Sequence, residues 1–88
     1  MKVLFTKSAS RDFDHWRRDD ARVYQRIINL VNAIEAAPFK GVGKPEPLKG
    51  DLSGWWSRRI TGEHRLVYRV TGKGKTQSLE ILSCRYHY

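Results

Sequence analysis

Residues 55–88, WWSRRITGEHRLVYRVTGKGKTQSLEILSCRYHY, have the pattern of three β-strands joined by two turns. Gly62 lies in a tight turn, and segment 71–76 forms a looser, basic one. Apolar side chains occupy the even positions along the first two strands, and this alternation places them on one face of a sheet. The positions that we expect to face the helices are Trp56, Ile60, Leu66, Tyr68 and Val70.

The same alternation predicts the strand register. When even positions pair with even positions, Arg59 lies opposite Arg65 on the other face of the sheet. Arginine therefore lines the face that points away from the helices. The last strand has no clear alternation, because Leu79 and Ile81 disagree in phase with Leu82. A β-bulge would account for this, and the sequence leaves the point open.

Residues 1–37 supply one strand and two helices. The run KVLFT (residues 2–6) is rich in β-formers, and the helix after it has Ser8 or Ser10 as its candidate N-cap. Asp19 and Asp20 mark the cap and first turn of a second helix, which ends before Pro38. Both helices have an apolar stripe of helical period. The stripes are Ala9, Phe13 and Trp16 in the first, and Val23, Ile27, Leu30, Val31 and Ile34 in the second.

Residues 38–54 have no periodicity and contain all three prolines and four of the seven glycines. We expect this segment to be a long loop, a kind of segment that often carries function. The predicted element order is β-α-α-β-β-β. We therefore expect an α+β fold in which two helices pack on one face of a mostly antiparallel sheet, with residues 1–88 forming a single domain.

The chain is strongly basic, with 17 lysines and arginines against 9 acidic residues, a net charge of +8 and a pI near 10.1. Such an excess repels itself and is tolerated where a polyanion neutralises it. We expect nucleic acid as that polyanion. An acidic protein partner is the second choice, and charge that serves solubility alone is the third.

The single cysteine excludes an internal disulfide and favours a reducing cytoplasm, and no apolar run reaches the ~18 residues that span a membrane.

The polar side chains suit metal-independent cleavage of RNA. The histidines are far apart and the carboxylates do not cluster, so neither a metal nor a cofactor is predicted. RNA is cleaved when its 2′-hydroxyl attacks the adjacent phosphate, which requires a base, an acid and cations. Glu46 lies between two stiffening prolines, and His87 offers an imidazole for proton transfer. The available cations include Arg58, Arg59, Arg65, Arg69 and Arg85. Each residue also has a plain interpretation as solvated charge or an inert tail.

Four motifs together resemble the YoeB (Txe/YoeB) family of bacterial toxins, within the RelE-like superfamily. They are GKPEPLK (43–49), SRRI (57–60), EHRLVY (63–68) and CRYHY (84–88). The resemblance is strong in the C-terminal half and covers the N-terminal half in helical layout only. It implies a RelE-like, microbial-RNase-like fold and the toxin of a type II toxin–antitoxin system. Such a toxin is a ribosome-dependent endoribonuclease that cuts mRNA in the A site, leaves a 2′,3′-cyclic phosphate and a 5′-hydroxyl, and inhibits translation.

The resemblance also implies residue roles and partners. Glu46 would be the general base and His87 the general acid, while Arg65 would stabilise the phosphate charge and Tyr88 would position the substrate. The implied partners are an acidic YefM-type antitoxin, the 70S ribosome with its mRNA, and a second copy in a homodimer, all in the cytoplasm. The predicted RNA contacts are Lys44, Lys49, Arg58, Arg59 and Arg85.

The turn at residues 71–76 departs from the family pattern, since it is longer and more basic than we expect there. Its distance in sequence from the motifs leaves the implied roles intact, and it is free to contact ribosomal RNA. Two other functions compete with the nuclease. One is a non-catalytic basic module that binds RNA or the ribosome, and the other is a structural protein whose basic face docks an acidic partner.

Overall fold

A computed structural model of the chain describes residues 1–86, in which two helices pack against one mixed sheet of five strands. The strand order is β1-β5-β4-β3-β2; β1 runs parallel to β5 and every other pairing is antiparallel. The predicted α+β class is confirmed. The elements are β1 (Lys2–Phe5), α1 (Lys7–Asp19), α2 (Ala21–Ala36), β2 (Glu46–Pro47), β3 (Trp56–Arg59), β4 (Arg65–Thr71) and β5 (Ser78–Ser83).

Strand β2 corrects the predicted element order, because it lies inside the segment that we expected to be loop. Only Glu46 and Pro47 form it, paired with Ser57 and Trp56 of β3. A two-residue edge strand has no room for a period of two, so its sequence carries no strand signal. The consequence is functional: Glu46 is held in the register of a sheet and not on a free loop.

Both helices begin at side-chain caps. The Thr6 hydroxyl accepts a hydrogen bond from the Ala9 N–H (3.1 Å), so the N-cap of α1 is Thr6 and the prediction of Ser8 or Ser10 is wrong. The same hydroxyl donates to the Leu82 carbonyl (2.8 Å), a tertiary contact that local sequence does not reveal. The N-cap of α2 is Asp20, whereas Asp19 is the last residue of α1, so the predicted pair marks the helix boundary but neither residue lies in the first turn of α2. That helix ends at Ala36, before the proline, as predicted.

The hydrophobic core lies between the helices and the face of the sheet that carries the even positions of β3 and β4, as the alternation predicted. Arg59 pairs with Arg65, which confirms the predicted register. The pairing of β4 with β5 shifts between Val67, which lies opposite Ser83, and Tyr68, which lies opposite Ile81. A bulge in β5 therefore separates the phase of Leu79 and Ile81 from that of the residues after Ile81. The buried core cluster consists of Ala9, Trp16, Ile27, Leu30, Ile34, Ile60, Leu66, Tyr68, Leu79, Ile81 and Cys84.

The turn between β4 and β5 is an ordered structure. Its 3-10 segment, Gly74–Thr76, is closed by reciprocal hydrogen bonds in which the Thr76 hydroxyl donates to the Lys73 carbonyl (2.8 Å) and accepts from the Lys73 N–H (3.3 Å). Gly72 has φ +79°, and a Cβ there would lie 2.5 Å from the Thr76 carbonyl oxygen, so only glycine fits. Lys73 and Lys75 are both exposed. Within residues 1–86, no helix has the length and apolar content to cross a membrane.

Candidate active site

The face of the sheet that points away from the helices carries Glu46, Arg59 and Arg65. Glu46 pairs with Ser57, and Arg59 pairs with Arg65. Paired residues share a face, and so do residues two apart on one strand, so these side chains occupy one surface. Glu46 and Arg59 are diagonal neighbours, a relation that sets Cα atoms about 7–8 Å apart. Three of the predicted site residues are therefore brought together by strand register.

The end of the chain runs beside the backbone of Arg65. On β5, Ser83 lies opposite Val67 of β4. Three residues later, the Tyr86 carbonyl accepts a hydrogen bond from the Arg65 N–H (3.1 Å). Tyr86 directly precedes His87 in sequence. His87 and Tyr88, the predicted general acid and substrate-positioning residue, lie outside the residues that the structure describes.

Arg65 is partly buried, and its guanidinium is held by the turn between β3 and β4. Its Nη1 donates to the carbonyls of Thr61 (2.9 Å) and His64 (3.1 Å), with a longer contact to that of Gly62 (3.4 Å). These contacts to neutral carbonyls fix the position of the group without neutralising its charge. An anchored guanidinium is suited to stabilise negative charge that develops at a fixed point.

Lys44 and Lys49 flank Glu46 and are exposed, so both are available to an anion. The strand-like path of this segment depends on Gly43, which has φ +86° and whose carbonyl accepts the Arg59 N–H (2.6 Å). A Cβ at Gly43 would lie 3.2 Å from the Arg59 carbonyl oxygen, tighter than ordinary contact. Gly43 therefore permits the close approach between the backbone of residues 43–49 and that of β3.

Arg58 contradicts its predicted role as an RNA contact. It is 0% exposed, and its guanidinium lies among backbone carbonyls of the segment after α2. Nη2 donates to the carbonyls of Ala37 (2.6 Å) and Lys40 (3.0 Å), and Nη1 to that of Val42 (3.1 Å), while Nε donates to the Tyr68 hydroxyl (3.2 Å). Every nitrogen of the group has a protein partner, and solvent does not reach it.

Tyr68 completes this buried polar network. Its hydroxyl donates to the Pro38 carbonyl (2.7 Å), and burial raises its pKa, opposed by the nearby Arg58 guanidinium. The strand alternation contained the signal for this arrangement, because Arg58 has the same parity as Trp56 and Tyr68. Its residue type suggested a phosphate contact, but its parity places it on the face that packs against the helices.

Two other arginines of the predicted set have local partners. Arg69 pairs with the Glu80 carboxylate (3.2 and 3.3 Å), and its guanidinium carbon lies 4.4 Å from the centroid of the Trp55 ring. Arg85 stacks over the Tyr86 ring at 4.6 Å, and its buried Nε has no hydrogen-bond partner within the described chain. The Arg69 guanidinium thus has its partners within the protein, whereas the Nε–H of Arg85 has no hydrogen-bond partner among the described residues.

Sequence reasoning missed the residues that hold the chain end. His64 Nδ1 accepts the Tyr86 N–H (2.7 Å), the Trp16 indole N–H donates to the Cys84 carbonyl (2.9 Å), and the Cys84 N–H donates to the Asp12 carboxylate (3.0 Å). His64 lies in the EHRLVY motif, but nothing in its spacing reveals the partner. Among residues 1–86, no group of three or more His, Cys, Asp or Glu side chains is arranged to hold a metal ion.

Comparison with known proteins identifies the family. The model of the "YoeB-like toxin of bacterial type II toxin-antitoxin system" family matches residues 5–88. The chain belongs to this family. The Toxin YoeB of Streptomyces coelicolor is 52% identical over 88 residues, with both chains covered completely. The family match and this relative together mark the chain as the toxin of a toxin–antitoxin system.

Solved structures of YoeB toxins have the same fold. A YoeB/ParE toxin from Agrobacterium tumefaciens has a TM-score of 0.98 at 53% identity, with both chains fully covered. A YoeB dimer and a heterotetrameric YoeB–YefM complex, both from Staphylococcus aureus, have TM-scores of 0.89 and 0.88 at 37% identity. Each covers all of this chain and 98% of the other. The likeness extends over the sheet, the helices and the segment that carries Glu46.

Proposed function

We propose that this member of the YoeB-like toxin family is a ribosome-dependent endoribonuclease that cleaves mRNA in the A site without a metal ion. The observation that carries the proposal is the surface shared by Glu46, Arg59 and Arg65, beside which the chain reaches Tyr86. A carboxylate next to two guanidiniums, on a protein of net charge +8, suits a phosphodiester substrate.

The proposed reaction is an internal transesterification of RNA. The Glu46 carboxylate removes the proton of the 2′-hydroxyl as its oxygen bonds to the adjacent phosphorus. The P–O5′ bond breaks, and His87 donates a proton to the departing 5′-oxygen. Arg65 and Arg59 stabilise the charge on the phosphoryl oxygens of the transition state, and Tyr88 orients the substrate. The products are a 2′,3′-cyclic phosphate and a 5′-hydroxyl.

Further cations extend the proposed RNA surface. Lys44 and Lys49 are exposed on either side of Glu46, where they would contact phosphates that flank the cleaved bond. Arg85, which is only partly buried, would complete the set on the side of the chain end. Arg58 is omitted, because its guanidinium is enclosed. Contacts of this kind orient the strand and make binding depend on salt.

We also propose partners by analogy with the Staphylococcus aureus proteins. A YefM-type acidic antitoxin would neutralise the basic surface of this chain, and two copies of the chain would form a homodimer. The 70S ribosome with its mRNA would be the target, which places the activity in the cytoplasm. Charge complementarity with a chain of +8 supports both the antitoxin and the ribosome as partners.

The test maps cut positions on mRNA bound to purified 70S ribosomes after a brief incubation with the protein. We expect cleavage within the A-site codon and a cyclic phosphate at the new 3′ end. Glu46→Gln and His87→Gln should each abolish most cleavage, whereas the control Glu35→Gln, which removes an exposed carboxylate from α2, should leave it unchanged. Ribosome binding without cut ends would instead establish the non-catalytic binding module.

A further inference from the structure

His64 makes an unusual contact for a partly buried histidine: its ring accepts a hydrogen bond from a backbone N–H near the end of the chain. The Tyr86 nitrogen lies 2.7 Å from Nδ1. An N–H can donate only to a nitrogen that has a free lone pair, so Nδ1 is unprotonated in this contact and the ring proton is on Nε2. The side chain therefore acts as a fixed acceptor for the residue that precedes His87.

Tyr86 is held through both of its backbone polar atoms by consecutive residues of one strand end. Its N–H donates to the His64 ring, and its carbonyl accepts from the Arg65 N–H (3.1 Å). Tyr86 also has φ +63°, a left-handed conformation that costs a residue with a side chain about 1 kcal/mol or more. Such a conformation persists only where surrounding contacts impose it. The two hydrogen bonds supply that restraint.

The His64 ring is itself held in place. The backbone N–H of His64 donates to the Thr61 hydroxyl (3.1 Å), and the ring meets the Trp16 indole edge-on, with centroids 4.7 Å apart. Trp16 in turn donates its indole N–H to the Cys84 carbonyl (2.9 Å). The histidine and the last part of the chain thus share one buried aromatic support, so a shift in either is resisted by the other.

We propose that His64 is a positioning residue, which holds the Tyr86 backbone and so orients the segment that leads to His87 and Tyr88. The inference rests on the proposed function for the roles of those two residues. Without the acceptor, the Tyr86 N–H loses its partner and the left-handed turn loses one of its two restraints. The chain end then samples other directions, and a misplacement of about 1 Å can cost a reaction 10²-fold in rate.

The chain offers a matched set of variants. His64→Leu removes the acceptor and keeps apolar bulk against Trp16, whereas His64→Asn replaces Nδ1 with an amide oxygen that can accept the same bond. The control is His15→Leu, because His15 also meets the Trp16 ring (4.8 Å) but from α1, next to Asp19. It removes an imidazole from the same tryptophan and leaves the Tyr86 contact intact.

The activity test measures single-turnover cleavage of ribosome-bound mRNA, together with ribosome affinity and thermal stability. We expect His64→Leu to lower the cleavage rate about 10–100-fold with ribosome affinity within about twofold, and His64→Asn to recover most of that loss. His15→Leu should cleave at the wild-type rate. A His64→Leu rate equal to wild type, or a His64→Asn variant no better than His64→Leu, overturns the inference.

A second readout does not depend on activity. Hydrogen exchange of the Tyr86 amide in the full chain, followed by NMR, should show protection in the wild type and in His64→Asn, and loss of protection in His64→Leu. An unprotected Tyr86 amide in the wild type refutes the contact and the inference with it. A protected amide in a wild-type protein that cuts no mRNA refutes the proposed function alone.

Discussion

Arg58 and Arg59 are adjacent on β3, yet they face opposite regions of the molecule. Arg58 is 0% exposed and donates to three backbone carbonyls and the Tyr68 hydroxyl. Arg59 is exposed and pairs with Arg65 on the surface that carries Glu46. Because the side chains of a strand alternate, one guanidinium maintains the fold while the next is available to a ligand. Residue type alone does not distinguish these two roles.

The largest expected effect is a loss of stability when Arg58, the arginine that faces the core, is replaced. Arg58→Met should lower the free energy of unfolding by about 3–5 kcal/mol, because three backbone carbonyls and the Tyr68 hydroxyl lose their donor. For a domain of this size, the melting temperature should fall by about 4–8 °C for each kcal/mol. Urea denaturation of the purified variant measures the change.

Arg59→Met is the matched control, since it makes the same substitution one residue away. It should change stability by less than about 0.5 kcal/mol, as is usual for exposed positions. If Arg59→Met were as destabilising as Arg58→Met, the contrast between the two faces would be wrong.

The next prediction concerns Arg65, on the face of the sheet that points away from the helices. Arg65→Met should reduce cleavage of ribosome-bound mRNA by about 10²–10³-fold, the usual cost of removing one preorganised charge stabiliser from an active site. Arg11→Met removes the same charge from the exposed surface of α1 and should have little effect. Equal losses in the two variants would mean that total charge, and not the position of Arg65, determines activity. Quantified primer extension compares the rates.

A smaller loss of stability is expected when the Tyr68 hydroxyl is removed from the buried network around Arg58. Tyr68→Phe removes the donor to the Pro38 carbonyl and the acceptor for Arg58 Nε, so it should cost about 1–3 kcal/mol of stability. Tyr24→Phe serves as the control, because Tyr24 is only partly buried and its ring stacks on Phe13 (4.6 Å). Thermal unfolding of both variants gives the comparison. Similar losses would show that the Tyr68 hydroxyl is not a special contact.

The buried thiol of Cys84 should cause a gradual loss of stability in alkaline solution. Burial, with a smaller contribution from the Asp12 carboxylate, raises the pKa of the Cys84 thiol from 9.0 to about 12. The folded state keeps this proton between those values while the unfolded state releases it. The stabilisation is therefore complete below pH 9.0 and is lost as the pH rises towards about 12, at up to ~1.4 kcal/mol per pH unit.

Cys84→Ala isolates this dependence, because it removes the thiol from the same buried position. Urea denaturation at a series of alkaline pH values should give a shallower decline for the variant than for the wild type. Tyr68, whose pKa is also raised by burial, contributes a decline of the same sign in both proteins. Identical pH slopes for wild type and Cys84→Ala would contradict the assignment.

How far the sequence predicts this molecule depends on the range of the interactions involved. The alternation in residues 56–70 predicts the core face and the pairing of Arg59 with Arg65, because a period of two is a local property of a strand. Strand β2 is too short to show any period. The true N-cap of α1, Thr6, lies two positions before the predicted Ser8, and its second hydrogen bond, to the Leu82 carbonyl, spans nearly the whole chain.

The sequence by itself determined the α+β class, the register of β3 with β4, the basic charge and, through its motifs, the family. These depend on periodicity and on short strings of residues, which are fully present in a linear chain. Only the tertiary structure decided which backbone carbonyls Arg58 binds, that Glu46 lies in a strand, and that His64 and Trp16 hold the chain end. The reason is physical: a hydrogen bond between residues 64 and 86 depends on how strands and helices pack in space, which no local pattern records.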